Sequence, residues 1–181
     1  MRVFIAIELS KELKKYFFNQ SKIIQRYCIK GNFTREDNFH LTLRFIGESD
    51  EKQIEELKNA VSKTAEKCSG FSSMTGNLGF FPRGNKKILW AGLENSTELK
   101  KLYQLLEKEL ESIGYPKEER GLKPHITIGR EVVLQSEFDT LKQVISMVPN
   151  ELFVNKLSLM ESTREDGKLV YRPLFSAHFS K

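Results

Sequence analysis

An internal repeat anchored on two tetrapeptides of one form, His40-Leu41-Thr42-Leu43 and His125-Ile126-Thr127-Ile128, restricts the fold of this chain more than any other feature. Before His40, an apolar run over residues 3–9 leads through Ser10 into Glu12-Leu13-Lys14-Lys15. Before His125, a run over residues 88–93 leads through Ser96-Thr97 into Glu98-Leu99-Lys100-Lys101. Leu9 precedes His40 by 31 residues and Leu93 precedes His125 by 32. Ser10 and Ser96 or Thr97 are N-cap candidates, each followed by an early acid that suits a helix N-terminus. After the motifs, Ile54, Leu57, Val61 and Ala65 (within 51–68) and Phe138, Leu141, Val144, Ile145 and Val148 (within 136–148) carry helical spacing. Each half therefore reads strand, helix, His-x-Thr strand, helix.

Further strands are expected over 71–81 and 87–93, flanking the turn Pro82-Arg83-Gly84-Asn85-Lys86. Two more, over 152–160 and 169–179, flank Arg164-Glu165-Asp166-Gly167-Lys168, whose Asp-Gly is a hairpin signal. The expected architecture is α+β and bilobal. Residues 1–181 form one domain of two pseudo-twofold-related lobes, each an antiparallel sheet backed by helices, around a central cleft.

A strand has a side-chain period of two, so in each motif His and Thr share one face and the aliphatics the other. Two such strands brought together present two imidazoles and two hydroxyls to one cavity, a setting for acid–base chemistry on a phosphate without a metal. One such His is more often an ordinary structural residue; the repetition argues for function. The chain has three histidines, and His178, without a Thr partner, reads as structural.

Composition narrows the classes. Apolar residues at 39% and charged residues at 29% are ordinary for a globular protein. No apolar run approaches the ~20 residues that span a bilayer. The N-terminus is too soon acidic for a signal peptide, so a cytoplasmic protein is expected. Cys28 and Cys68 have neither metal-ligand spacing nor a disulfide-dense context and read as free thiols near helix ends. No zinc site, other metal or cofactor is expected. The net charge of +5 suits a polyanionic ligand, although lysine-rich helix faces alone would produce it.

The residues also resemble a known family, the two-histidine phosphoesterases, and within it the RNA 2′,3′-cyclic phosphodiesterases once called 2′-5′ RNA ligases. The matching segments are Arg2-Val3-Phe4-Ile5-Ala6-Ile7, Asn38-Phe39-His40-Leu41-Thr42-Leu43-Arg44-Phe45-Ile46-Gly47, Leu89-Trp90-Ala91-Gly92-Leu93 and Lys123-Pro124-His125-Ile126-Thr127-Ile128-Gly129-Arg130. Leu159-Met160-Glu161-Ser162 and the Gly167-to-Tyr171 hairpin are similar to the family's C-terminal end. The resemblance implies both motifs in a central cleft and metal-independent hydrolysis of a ribose 2′,3′-cyclic phosphate to a 2′-phosphate. By that analogy His40 donates the proton to the leaving oxygen and His125 accepts one from water. The implied partner is RNA with a 2′,3′-cyclic phosphate end, tRNA-like fragments included, bound by a monomer. Rival readings are a 2′-5′ RNA ligase or other 2′-5′ phosphodiesterase, and an RNA-end-binding module without catalysis.

Thr42 and Thr127 are candidate donors to the phosphate oxygens. Arg130 matches a phosphate-contacting family position, but strict alternation turns it away from His125, so a bulge or a strand end at Gly129 is required. Arg44 shares parity with His40 and Thr42 and is expected either at the cleft mouth or at a solvated strand end. Arg83, Lys86, Lys87, Arg120 and Lys123 surround the cleft segments as candidate RNA contacts. Phe4, Phe81 or Tyr171 are candidates to stack on a base. Trp90 reads as packing.

Overall fold

Elements follow the repeat in the computed structural model, which describes residues 1–94 and 96–180. The chain runs β1 (Arg2–Glu8), α1 (Lys11–Gln25), β2 (Cys28–Phe33), β3 (His40–Glu48), α2 (Glu51–Glu66), β4 (Phe71–Arg83), β5 (Lys86–Leu93) and α3 (Thr97–Ser112). It continues through β6 (His125–Leu134), α4 (Phe138–Val144), β7 (Glu151–Val154), β8 (Lys156–Glu165) and β9 (Lys168–His178), with a 3-10 turn at Glu36–Asn38.

The starts of α1, α2 and α3 are set by side-chain caps. The Ser10 hydroxyl accepts from the Leu13 amide at 3.2 Å and the Ser96 hydroxyl from the Leu99 amide at 3.1 Å. Asp50 and Gln53 form a reciprocal capping box at α2. The buried residues of α1 (Leu13, Phe17, Ser21, Ile24) and the buried leucines of α3 (Leu99, Leu102, Leu106, Leu110) recur at three- and four-residue spacing, the stripe a helix needs to lie on a sheet.

The strands form a sheet of order β7-β4-β5-β6-β3-β1-β8-β9, with β2 added on β6 and every pairing antiparallel. From the centre outward, β3, β1, β8 and β9 mirror β6, β5, β4 and β7. At the centre, β3 meets β6 through the pair Leu41↔Ile126. Both residues directly follow a motif histidine, so a pseudo-twofold axis passes between them. The two expected lobes are thus halves of one sheet.

Val3, Ile5 and Ile7 of β1 join Leu41, Leu89, Ile126, Leu157 and the helix stripes in the main core. Burial of each such aliphatic stabilises the fold by about 1.5–3 kcal/mol. Phe4 and Ala6, alternating with them, join Met160 and Tyr171 in a small cluster on the opposite, cleft-lining face. That double burial explains why β1 reads as an unbroken apolar run.

Three elements differ from the expectation. β2 lacks an alternating pattern; it covers the part of β6 from Gly129 to Leu134 that β3 leaves unpaired. The strand expected over 152–160 is broken at Asn155. There the chain leaves β4 at one edge for β1 in the other half. The last helix ends at Val144 because Ile145 is already extended ahead of Pro149, leaving Val144 and Val148 exposed. Cys28 and Cys68 are both free, and His178 is exposed at the end of β9. Among the described residues, no helix is long and apolar enough to cross a membrane.

Candidate active site

His40 and His125 are the first residues of β3 and β6. Their surroundings obey the same pseudo-symmetry. Nδ1 of His40 lies 2.7 Å from the carbonyl oxygen of Asn38, and Nδ1 of His125 lies 2.7 Å from that of Lys123, two residues upstream in each case. A carbonyl only accepts, so both rings carry their proton on Nδ1 when neutral and keep Nε2 for other chemistry. Nε2 of His40 is 2.7 Å from the Thr42 hydroxyl, which donates to it in that tautomer.

Aromatic rings pack around each imidazole. Phe4 and Tyr171 approach His40 with centroids at 4.9 and 5.0 Å; Phe81 and Trp90 approach His125 at 5.0 and 6.2 Å. The resulting loss of hydration pushes His40 down to about 4. The Asn38 carbonyl opposes that shift, and the Arg130 charge adds to it. His125 is pushed down for the same reasons, with the Lys123 carbonyl opposing and Arg130 and Lys123 adding. Burial also raises the Tyr171 phenol.

Two adjoining cavities open beside His40. One of about 460 Å³ is lined by His40, Thr127, Arg130, Thr34, Arg35 and Asn38 among others. The second, of about 510 Å³, has Arg2, Phe4, Phe45 and Ser162 in its wall. His40, Arg130, Arg164, Leu169 and Tyr171 border both.

Two β-bulges decide which of Arg44 and Arg130 reaches this cleft. Opposite β5, Leu89 pairs with Gly129 while Trp90 pairs with Thr127, so Ile128 is the extra residue and the parity of β6 changes after it. Arg130 thereby joins Thr127 on the cleft face, by a bulge at Ile128, one residue before the expected position, and not by a strand end, since β6 continues to Leu134. β3 bulges at the equivalent place. Ile5 pairs with Arg44 while Ala6 pairs with Thr42, with Leu43 extra. Arg44 is therefore turned to the helix face, against the expectation of cleft mouth or solvated strand end. It is 7% exposed, 2.5 Å from a Glu107 carboxylate oxygen and 2.6 Å from the Pro116 carbonyl. Phe45 takes the cleft position instead, the pseudo-symmetric counterpart of Arg130.

The remaining candidates divide. Phe4 is 2% exposed and packs beneath His40 and Tyr171, so it offers no face to a base. Lys123 lies over the Phe81 and Trp90 rings, 5.0 and 5.3 Å from their centroids. Arg83 is the last residue of β4, beside the turn to β5, donating to the Pro82 carbonyl, and lines neither cavity. Lys86 lies 3.5 Å from Glu131, and Lys87 lies over Phe80, which packs on Phe138.

Sequence reasoning missed Asn38, Arg2, Arg35, Arg164 and Phe45. Asn38 is buried; its side-chain amide donates to the Leu169 carbonyl at 2.9 Å and accepts from the Tyr171 amide at 3.1 Å, which clamps β9 over His40. A buried-type polar residue two positions before a motif histidine was the available signal. Among the described residues, no group of three or more His, Cys, Asp or Glu side chains is arranged to hold a metal ion.

Comparison with known proteins places the family and the fold. The family model described as the 2′-5′ RNA ligase superfamily matches residues 21–166. An RNA 2′,3′-cyclic phosphodiesterase of Thermotoga maritima is 34% identical, over 99% of this chain and 96% of its own. One of Methanothermobacter thermautotrophicus is 26% identical over 94% and 95%. The structure of E. coli LigT complexed with 3′-AMP superposes with a TM-score of 0.79 at 22% identity, covering 99% of this chain and 98% of that one.

Proposed function

The chain belongs to the 2′-5′ RNA ligase superfamily, and from that premise we propose that it hydrolyses RNA 2′,3′-cyclic phosphate ends to 2′-phosphates without a metal. The observation that carries the reading is the pairing of Leu41 with Ile126, which sets two histidines about one axis with both Nδ1 atoms tied to backbone carbonyls. The relatives' activity and the cleft's arginines support RNA as the substrate. A monomer working in the cytoplasm is part of the same proposal.

In this reading the cyclic phosphate lies between the two motifs. Nε2 of His125 takes a proton from water, whose oxygen attacks phosphorus opposite O3′. The P–O3′ bond breaks, and His40 delivers a proton from Nε2 to O3′, leaving a free 3′-hydroxyl and a 2′-phosphate. Thr42 and Thr127 donate to the non-bridging oxygens, and Arg130 balances the charge that develops there. His125 enters as a neutral base, which its lowered pKa favours. His40 must enter protonated, which burial opposes; the substrate's negative charge, brought against the ring, offsets that penalty.

The test is incubation with EDTA and a cyclic-ended oligonucleotide, with the product identified by NMR. Conversion to the 2′-phosphate, falling about 10²–10⁴-fold in His40→Ala and His125→Ala, is expected. Loss of turnover on chelation, or turnover retained in either variant, refutes the mechanism.

A further inference from the structure

The two cavities differ in what they can reach. The first contains Thr127 together with His40 and Arg130, so it adjoins the reacting phosphate. The second shares His40 and Arg130 but not Thr127 and runs away from the motifs, under the start of β1 and the β8–β9 hairpin. Each has the volume of a small-ligand site. The wall of the second holds Phe45, which is 58% exposed and lies 6.1 Å from the buried Phe4 ring. An exposed aromatic face at a cavity wall is a stacking platform for any nucleobase.

Charge singles out the same place. Arg2 and Arg164 border the second cavity, and Arg164 also borders the first. Arg172, on the same hairpin as Arg164, is tied to Glu161 at 2.9 Å and Glu165 at 2.7 Å. Arg2 and Arg164 have no carboxylate partner among the described residues; Arg164 donates only to the Gly167 carbonyl. Both are exposed, uncompensated cations in the wall of the second cavity, and Arg164 stands at its junction with the first. A phosphodiester linking two nucleotides is the anion that fits between.

We propose that the second cavity is a subsite for the nucleotide on the 5′ side of the cyclic end, with Phe45 stacking on its base and Arg164 and Arg2 holding the linking phosphate. The inference rests on the RNA-end reading above and adds to it a preference for oligonucleotides over mononucleotides. Stacking on one aromatic ring corresponds to roughly tenfold in affinity or more. Each phosphate neutralised adds to the salt dependence of binding to a single strand.

The experiment compares kcat/KM for a nucleoside 2′,3′-cyclic phosphate with that for a dinucleotide ending in the same group. It also compares Kd for the corresponding 2′-phosphate products, in the parent protein and in Phe45→Ala, Phe45→Trp and Arg164→Ala. The dinucleotide is expected to lead by about tenfold or more; Phe45→Ala and Arg164→Ala bring the ratio towards one, and Phe45→Trp keeps it. Arg164→Ala also flattens the salt dependence for the dinucleotide. A parent ratio near one overturns the subsite. So does an equal loss on both substrates in Phe45→Ala, which would assign the second cavity to the reacting nucleotide. If neither substrate turns over, the activity reading fails, and the Kd ratios still decide the subsite.

Discussion

Anion binding at this cleft should carry a proton with it. Burial against Phe4 and Tyr171 takes the His40 pKa from 6.5 to about 4, a penalty of about 3 kcal/mol on the imidazolium. A single negative charge about 4 Å from the ring, at an effective dielectric of about 20, returns about 4 kcal/mol. The attraction is of the same size as the penalty, so an occupied site holds His40 protonated at a pH where the empty site holds it neutral. Sulfate, which keeps its charge across this range, serves as the probe. The His40 Cε1–H resonance, followed by NMR from pH 3.5 to 8, should titrate near 4 in the free protein and above about 6 with sulfate. Calorimetry at pH 5.5 in two buffers of different ionisation enthalpy should give uptake of nearly one proton per sulfate bound. The sign for stability follows from the same shift. Between 6.5 and about 4 the unfolded chain binds the proton and the folded chain does not, so stability falls as pH drops through that window. The loss at His40 is at most about 3 kcal/mol, less any screening of a ring that is only half-buried. Titration of His40 near 6.5 in the free protein, or sulfate binding without proton uptake, refutes the argument.

Other perturbations test the scaffold around the histidines. Arg44→Met leaves the Glu107 carboxylate buried without its cation and should cost about 3–5 kcal/mol in urea unfolding, most of it recovered in Arg44→Met/Glu107→Leu; full additivity of the two changes would refute a paired interior. Gly79→Ala puts a Cβ into the six-membered ring of Trp90. It should destabilise by about 1–3 kcal/mol and shift the emission of the protein's single tryptophan; an unchanged spectrum would show that Trp90 does not press on that glycine. Asn38→Ala removes both side-chain bonds to β9 and should cost about 1–3 kcal/mol, with faster amide exchange at Tyr171. Retained protection at Tyr171 would show that β9 is held over His40 by something else.

Much of this site was legible in the chain because it is written in local periodicities. His40 and Thr42, like His125 and Thr127, share a face in any strand, and the 31- and 32-residue spacings forced two like halves. The capped, striped helices α1, α2 and α3 followed from side chains within a turn of one another. Parity fails wherever a strand bulges, and a bulge is a property of two strands rather than one. Leu43 and Ile128 are the extra residues because β1 and β5 lie beside them in a given register. That register sends Arg44 to Glu107 and both Arg130 and Phe45 into the cleft. Likewise Asn155 breaks its strand only because β7 and β8 belong to opposite halves. The sequence by itself determined the two imidazole–hydroxyl pairs and the repeat that carries them. Tertiary structure decided which further side chains surround them, since facing across a sheet depends on the partner strand as well as on the residue.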